Sequence, residues 1–430
     1  MTMQPDLGAP GSLHARFPEL GTGPIPVEPY VSADWFAREK THVFKKVWQH
    51  VGRVEELPAP GSYLCVDLPA SDASVIVVRG DDGKLHAMHN VCSHRLNKIV
   101  YDERGRTPKL FCQFHGWTYE LDGSIARIPE ERNFGGLDRA ACALARVAVD
   151  VWGGFIFVNV DPHPAMSLRD YLGPMILGLE EYPFASMTNC FSWRTVVRAN
   201  WKMCVDAFQE LYHVGFVHGR SIAGALRKDE HGSLTPIDAL CGDHHRRLSI
   251  AGNPQTVYGN PNAASSEGAT PAGAKPIAAA ALRLGRNSMK ERFDPAALPA
   301  ALNWQRDPDW AFDINCIFPD FYLSLRPNYM QAYNFRPISH NETLFDARVY
   351  YPEVTHAGGR FYQEYMKVAL RDVLLEDLST LEHTQRAAET GAKTHMFLQD
   401  NEIMVRHQVW VVDRMIREGE EAARVAEAAQ

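Results

Sequence analysis

Cys92-Ser-His94-Arg95 and Cys112-Gln-Phe-His115-Gly116-Trp117 decide how the rest of this chain is read. Each stretch offers one thiolate and one imidazole from a tight loop. Two such loops facing each other can hold two irons asymmetrically, with both cysteines on one and both histidines on the other. A single tetrahedral zinc accepts the same four ligands and is the structural alternative. Zinc motifs, however, usually pair cysteine with cysteine and histidine with histidine.

Working outward from the two loops, the flanking chain alternates with period two. Tyr63-Leu64-Cys65-Val66, Val75-Ile76-Val77-Val78, Leu110-Phe111, Trp117-Thr118-Tyr119 and Phe155-Ile156-Phe157-Val158 read as strands, with Gly80-Asp81-Asp82-Gly83 as one of the turns. Upstream, Ser32 to Trp48 reads as a helix with Ser32 as N-cap, because Trp35, Phe36, Val43, Phe44 and Val47 recur at helical spacing. These signals bound a small all-β domain at 47–160, preceded by an N-terminal segment and helix (1–46) expected to pack on the second domain.

Asp161-Pro162-His163-Pro164 is a linker signal, after which strand and helix signals mix. Strands are expected at Phe191 to Ala199, Phe318 to Leu325, Gln331 to Ile338 and Thr343 to Tyr351, and two long helices at about Gly359 to Glu389 and Thr394 to Ala429. The fold class is therefore α+β, with a second domain over 161–430. Ala251 to Ala281, rich in Gly, Ala, Pro, Ser and Asn, reads as a surface loop in preference to a lid.

Bulk composition narrows the class of protein. With 430 residues, 45% hydrophobic and 22% charged, the chain is long enough for two domains of ordinary globular make-up. A net charge of −8 and a pI near 6.1 argue against a nucleic-acid footprint. The apolar run Val147 to Val160 is interrupted and too short to span a membrane. No apolar signal-peptide core precedes Glu28, so a cytoplasmic location is expected. Eight sparse cysteines suit a reducing compartment, and the six outside the loops read as small buried hydrophobes.

A second group of ligand-type residues follows Asn200-Trp201-Lys202, namely Asp206, Glu210, His213 and His218. Glu210 and His213 are three apart and share a helical face. His213 and His218 are five apart and out of phase, so a helix carrying them must distort or end between them, with Gly215 a cheap place to do so. Two imidazoles and one carboxylate make the facial triad of non-haem Fe(II) oxygenases, which leaves positions open for O2. Most histidine pairs at arbitrary spacing are surface or core residues, so this pair gains weight only from the upstream loops.

Together, the two Cys-His loops and the stretch Asn200-Trp201-Lys202…Glu210-Leu211-Tyr212-His213…His218 strongly resemble the Rieske non-haem iron oxygenases, specifically the large catalytic alpha subunit of the aromatic-ring-hydroxylating dioxygenases. That resemblance covers most of the chain. It implies a Rieske domain followed by a catalytic domain whose antiparallel sheet is covered by helices, a helix-grip arrangement. It implies one [2Fe–2S] cluster on Cys92, His94, Cys112 and His115, and one mononuclear Fe(II) on His213, His218 and a distant carboxylate. Helix phase admits either Asp400 or Glu402; the family's Asp followed by Gln in the final helix, here Asp400 and Gln408, selects Asp400. Glu210 takes the family's bridging acid position, accepting from His213 and from His115 of a neighbouring subunit.

The resemblance also implies how the protein would work. O2 is co-substrate, and electrons come from NAD(P)H through a ferredoxin or flavin reductase. A head-to-tail homotrimer, with or without a small beta subunit, would place one subunit's cluster beside the next subunit's iron. Ring dihydroxylation, monohydroxylation and oxidative demethylation use the same ligands, so the motifs do not separate them. Phe208, Phe216, Val217, Leu226 and Phe321 are candidate linings for an apolar or aromatic substrate, or ordinary core. His244-His245-Arg246-Arg247 reads as a solvated loop in preference to a carboxylate site. A Rieske electron carrier fused to a binding domain and a zinc-stabilised binding module are the rivals from other classes; neither uses the second motif.

Overall fold

The computed structural model describes residues 12–219, 221–253 and 298–428, with positions 277, 280, 281 and 284. The segment expected as a loop or lid, 251–281, falls mostly outside the described residues. The chain forms two compact units, Ala37–Gly173 and residues up to Phe36 together with Pro174–Gln430. The first unit reaches beyond 47–160 at both ends because side chains tie the flanks to it. Gln49 Nε2 and Ser71 Oγ both donate to the Phe44 carbonyl, and the Trp48 indole donates to Met166 O.

Within Ala37–Gly173 the strands Gln49–Arg53, Phe155–Asn159, Arg146–Trp152, Leu85–His89, Ala73–Arg79, Ser62–Leu68 and Arg104–Arg106 pair in that spatial order, antiparallel throughout. The apolar run Val75 to Val78 shows why both faces are covered. Ile76 and Val78 point into a cluster with Leu110, Trp117 and the two loop cysteines, whereas Val75 and Val77 point into another with Val51, Leu57 and Ile156. A small three-stranded sheet of Leu110–Phe111, Thr118–Tyr119 and Ile125–Arg127 carries the second ligand loop between its first two strands.

Upstream, the expected helix starts at its Ser32 cap, where Trp35 N–H donates to Ser32 Oγ at 3.1 Å. It runs over Ala33–Glu39 and widens into a π-type turn at Lys40–Phe44.

The other unit is organised on an antiparallel sheet of Asn189–Val197, Glu342–Tyr351, Met330–Ser339, Phe321–Leu325, Trp310–Ile317, Arg246–Ala251 and Asp238–Cys241 in spatial order. Two helices accompany it, Ala357–Glu389 and Ile403–Ala428. The final helix starts nine residues later than Thr394. The intervening chain is committed elsewhere: His395–Met396 pairs with Ile25–Pro26 and Asp400–Glu402 makes a 3-10 turn. No described helix is long and apolar enough to cross a membrane.

The histidine segment is locally determined. Asn200 caps the helix Trp201–Asp206, its Oδ1 accepting from Lys202 N–H at 3.0 Å while its Nδ2 donates to His340 O. Below this helix lies a largely buried polar network. Asp206 accepts from Tyr30 OH at 2.8 Å and from Gln209 Nε2 at 2.8 Å, and Arg246 donates to Gln209 and Gln408.

The sequence His244-His245-Arg246-Arg247 is therefore not a solvated loop. His245, Arg246 and Arg247 are buried, and Arg247 pairs with Asp313. Of the six cysteines outside the ligand loops, Cys190 is exposed and Cys65 and Cys241 are only partly covered.

Candidate functional site

The two Cys-His loops are built alike. In each, the cysteine carbonyl accepts from the N–H four residues on, Leu96 at 3.0 Å and Gly116 at 2.9 Å. In each, the cysteine N–H donates to the carbonyl five residues on, Asn97 at 2.8 Å and Trp117 at 2.9 Å. The turn needs a left-handed residue at its fourth step, supplied by Gly116 (φ +73) and by Leu96 (φ +61), the latter strained for a branched side chain. Cys92 and Cys112 are buried and free.

The His94 and His115 rings lie 4.5 Å apart at 74°, and His94 stacks on Trp117 at 5.2 Å. Both Nδ1 atoms are buried and lack a hydrogen-bond partner. A buried polar atom left so costs about 1–3 kcal/mol. Two buried thiols and two orphaned imidazole nitrogens, one of each per loop, fit a [2Fe–2S] cluster. Tyr119 completes the surroundings: its hydroxyl accepts from Ser93 N–H at 3.1 Å and lies 3.2 Å from Cys92 Sγ, positioned to donate to it.

In the other unit, His213 and His218 flank the four-residue helix Val214–Val217, one before its first turn and one after its last. The helix thus ends between them at Val217, not at Gly215. Their rings lie 5.2 Å apart at 72°. The carboxylate that joins them is Asp377, whose Oδ1 is 2.8 Å from His218 Nε2 and 3.5 Å from His213 Nε2. The three ligand atoms lie within 4.8 Å of one another.

A carboxylate also holds each imidazole from behind. Glu210 is hydrogen-bonded to His213 Nδ1, and Glu376 Oε2 is 2.7 Å from His218 Nδ1 while accepting from Ser221 Oγ at 2.6 Å. Burial alone would lower the His213 pKa, but Asp377 and Glu210 outweigh it and push it up to about 9. This pocket therefore prefers a cation between its nitrogens, and a 2-His-1-carboxylate set with outer carboxylates suits Fe(II).

Asp400 does not reach this site. Its carboxylate accepts from Leu13 N–H at 2.9 Å and His14 N–H at 2.8 Å and pairs with His14 Nδ1 at 2.6 Å. The acid that the structure brings to the two histidines is Asp377 in place of Asp400, because residues 397–402 are not α-helical and the helix phase that admitted Asp400 does not apply there. Asp377 had a signal of its own: it is an acid on the buried face of the expected helix, between Leu374 and Leu381.

Glu210 also holds the backbone of this segment. Its Oε2 accepts from the Tyr212 and His213 N–H groups, which also fixes the start of the short helix. Of the candidate linings, Phe208 is buried against Tyr322 and Tyr333, Leu226 is buried, Phe216 is 79% exposed, and Phe321 lies on the sheet face opposite Tyr322.

Known proteins match this chain in the same two places. Residues 47–148 match the Rieske [2Fe-2S] domain, and residues 184–418 match the ring hydroxylating alpha subunit (catalytic domain). The chain belongs to the ring-hydroxylating alpha-subunit family. Its cofactors are those of that family, a Rieske [2Fe–2S] cluster and a mononuclear iron.

Among family relatives, the glycine betaine monooxygenase oxygenase subunit of Chromohalobacter salexigens is 35% identical over 195 residues, 45% of this chain and 43% of that one. The carnitine monooxygenase oxygenase subunit of Escherichia coli K12 is 32% identical over 220 residues, 50% and 57%. The 2-aminobenzenesulfonate 2,3-dioxygenase subunit alpha of an Alcaligenes species is 32% identical over 198 residues, 44% and 48%. The chain spans about half the length of the curated relatives it matches.

Two solved structures share the fold. A quaternary ammonium Rieske monooxygenase superposes with TM-score 0.71 at 18% identity, covering 93% of this chain and 97% of that one. Naphthalene 1,2-dioxygenase from Rhodococcus gives 0.68 at 18%, covering 94% and 96%.

Proposed function

We propose that this alpha-family chain is the terminal oxygenase of a system that hydroxylates a small organic compound of the quaternary ammonium class. Cys92, His94, Cys112 and His115 hold the cluster, and His213, His218 and Asp377 hold the iron. When bound, these groups supply O2 activation with two electrons from NAD(P)H, one oxygen atom entering the substrate and the other leaving as water. The chain's own part is to orient the ligands. Glu210 and Glu376 fix the tautomers of His213 and His218 by accepting at Nδ1, which keeps both Nε2 atoms turned toward Asp377.

One observation carries the choice of substrate. Phe208 stands edge-on to Tyr322 at 5.9 Å and to Tyr333 at 5.8 Å, and the two tyrosines stack at 5.1 Å. Phe208 stands two residues before Glu210, the acid bonded to His213, which supports placing the rings beside the iron site. Aromatic faces beside an acid favour a cationic methylammonium group. Relatives acting on glycine betaine and carnitine support the same class. The same rings suit an aromatic substrate, and the relative acting on 2-aminobenzenesulfonate favours that second reading.

Electrons would cross between copies. Leu96, Tyr101, Phe111 and Phe114 are exposed around the cluster loops, and Tyr212 and Phe216 are exposed beside Glu210. Apolar surface at both redox sites supports head-to-tail docking, with Glu210 accepting from His115 of the next copy.

The test is turnover by the reconstituted protein with a reductase and NADH, following O2 uptake and product. Glycine betaine, carnitine and choline are set against 2-aminobenzenesulfonate and naphthalene. Hydroxylated product from a quaternary ammonium compound is expected. Product only from the aromatic compounds establishes the second reading, and NADH-independent behaviour with every compound removes the oxygenase assignment.

A further inference from the structure

The inner face of the catalytic sheet carries a guanidinium that meets no carboxylate among the described residues. Tyr322, Ser324 and Arg326 alternate along one strand and its end, so their side chains share the face that Tyr333, directly paired with Tyr322, also lines. Arg326 NH1 donates to Ser324 Oγ at 2.6 Å, and the guanidinium lies over the Phe312 ring at 3.7 Å and near Tyr329 at 5.1 Å. Among the described residues no carboxylate lies within ion-pair distance of it, whereas Arg227, Arg247 and Arg348 each hold an aspartate. Arg326 is partly buried. A half-buried cation among aromatic rings without a counter-charge costs stability, and an anionic ligand offsets that cost.

Its position relative to the iron site follows from the ring contacts. Tyr322 and Tyr333, on the face that Arg326 shares, both meet Phe208, and Phe208 stands two residues before Glu210, the acid bonded to His213. The stacked pair thus lies between the guanidinium's end of the face and the segment that carries the iron site. Ser324 and the Tyr329 hydroxyl each take a donor of the guanidinium, and the remaining donors of its planar fork still match a carboxylate or sulfonate.

We propose that Arg326 is the specificity-determining anchor of the active site, receiving the carboxylate or sulfonate of a substrate whose oxidisable carbon is presented to His213, His218 and Asp377. This rests on the reading of those three residues as the iron site. It narrows the substrate to an organic anion or zwitterion. A quaternary ammonium substrate would place its acid on Arg326 and its methylammonium against Phe208, Tyr322 and Tyr333.

Calorimetric titration of the iron-loaded protein with two matched pairs tests this: glycine betaine against choline, and 2-aminobenzenesulfonate against aniline. The anionic member of at least one pair should bind roughly tenfold or more tighter. Arg326→Gln should weaken that member by roughly ten- to a hundredfold, to the level of its uncharged-end analogue, and leave the analogue unchanged. Arg326→Lys should keep part of the preference. The cluster spectrum and melting temperature of each variant report whether it is folded.

A preference that survives in a folded Arg326→Gln variant overturns the proposal and makes the residue structural. Equal binding within both pairs by the unaltered protein also overturns it. A preference confined to the aromatic pair upholds Arg326 and removes only the quaternary ammonium reading.

Discussion

Asp377 Oδ1 lies 2.8 Å from His218 Nε2, although 159 positions separate the residues in sequence and the acid belongs to a different helix. Asp377→Ala should lose the mononuclear iron and all turnover while the Rieske absorption stays intact. Asp400→Ala should keep the iron; it removes the acceptor of Leu13 N–H and His14 N–H and is expected to destabilise the fold by about 1–3 kcal/mol. Metal analysis and visible spectra on both variants decide this, and iron lost from Asp400→Ala but kept by Asp377→Ala reverses the assignment.

The cluster ligands and the iron ligands belong to separate compact units. Cys92→Ser and His115→Ala should therefore abolish the Rieske spectrum and leave about one iron bound per chain. A full Rieske spectrum in either variant contradicts the ligand set.

Tyr119 lies 3.2 Å from Cys92 Sγ, and a hydrogen bond to a ligand sulfur favours the more negative, reduced cluster. Removing a bond worth about 1 kcal/mol shifts a one-electron potential by roughly 40 mV. Tyr119→Phe should accordingly lower the cluster potential by about that amount with the spectrum retained. An unchanged potential in a redox titration would mean that the hydroxyl proton points elsewhere.

Glu210→Gln preserves shape and keeps one acceptor oxygen, but its amide nitrogen cannot replace the other, and it loses the charge that strengthens the bond to His213 and the proposed bond to the neighbouring copy. Both metal sites should load, while single-turnover reoxidation of the reduced cluster, with substrate and O2 present, should slow by up to about a hundredfold, the upper end of the range for loss of an outer-shell partner. Rapid reoxidation would show that electrons take another route.

Burial pushes the Asp206 carboxyl up to about 7, against the lowering effect of its hydrogen bonds from Tyr30 and Gln209. Its unfolded value is about 4, so between the two values the native state binds more protons and stability falls as pH rises from about 4 to 7. Asn imitates the protonated acid. Asp206→Asn should flatten the change in denaturation midpoint between pH 5 and pH 8; an unaltered slope would mean that Asp206 is ionised in the native protein.

The amino-acid sequence alone determined what short range controls. Cysteine and histidine two or three positions apart must share a loop, so both halves of the cluster site could be read before the fold was known. Strands and helices could be read from period-two and period-3.6 apolar spacing, including the long helix that turned out to carry Asp377. Glu210 and His213, three apart, were equally local.

Which acid joins the two histidines was decided by tertiary structure. Apolar spacing puts Asp377, and not its neighbour Glu376, on the buried face between Leu374 and Leu381, but which nitrogen of His218 each acid meets, and that this helix reaches the histidines in place of the Asp400 segment, depends on how the helix packs. In the outcome the first takes Nε2 and the second takes Nδ1. Asp400 carried a plausible local pattern, yet pairing of residues 395–396 with 25–26 drew its segment toward the N-terminal residues and spent its charge on His14. Arg326 shows the same limit, because only the sheet register puts its charge on a face shared with both Tyr322 and Tyr333.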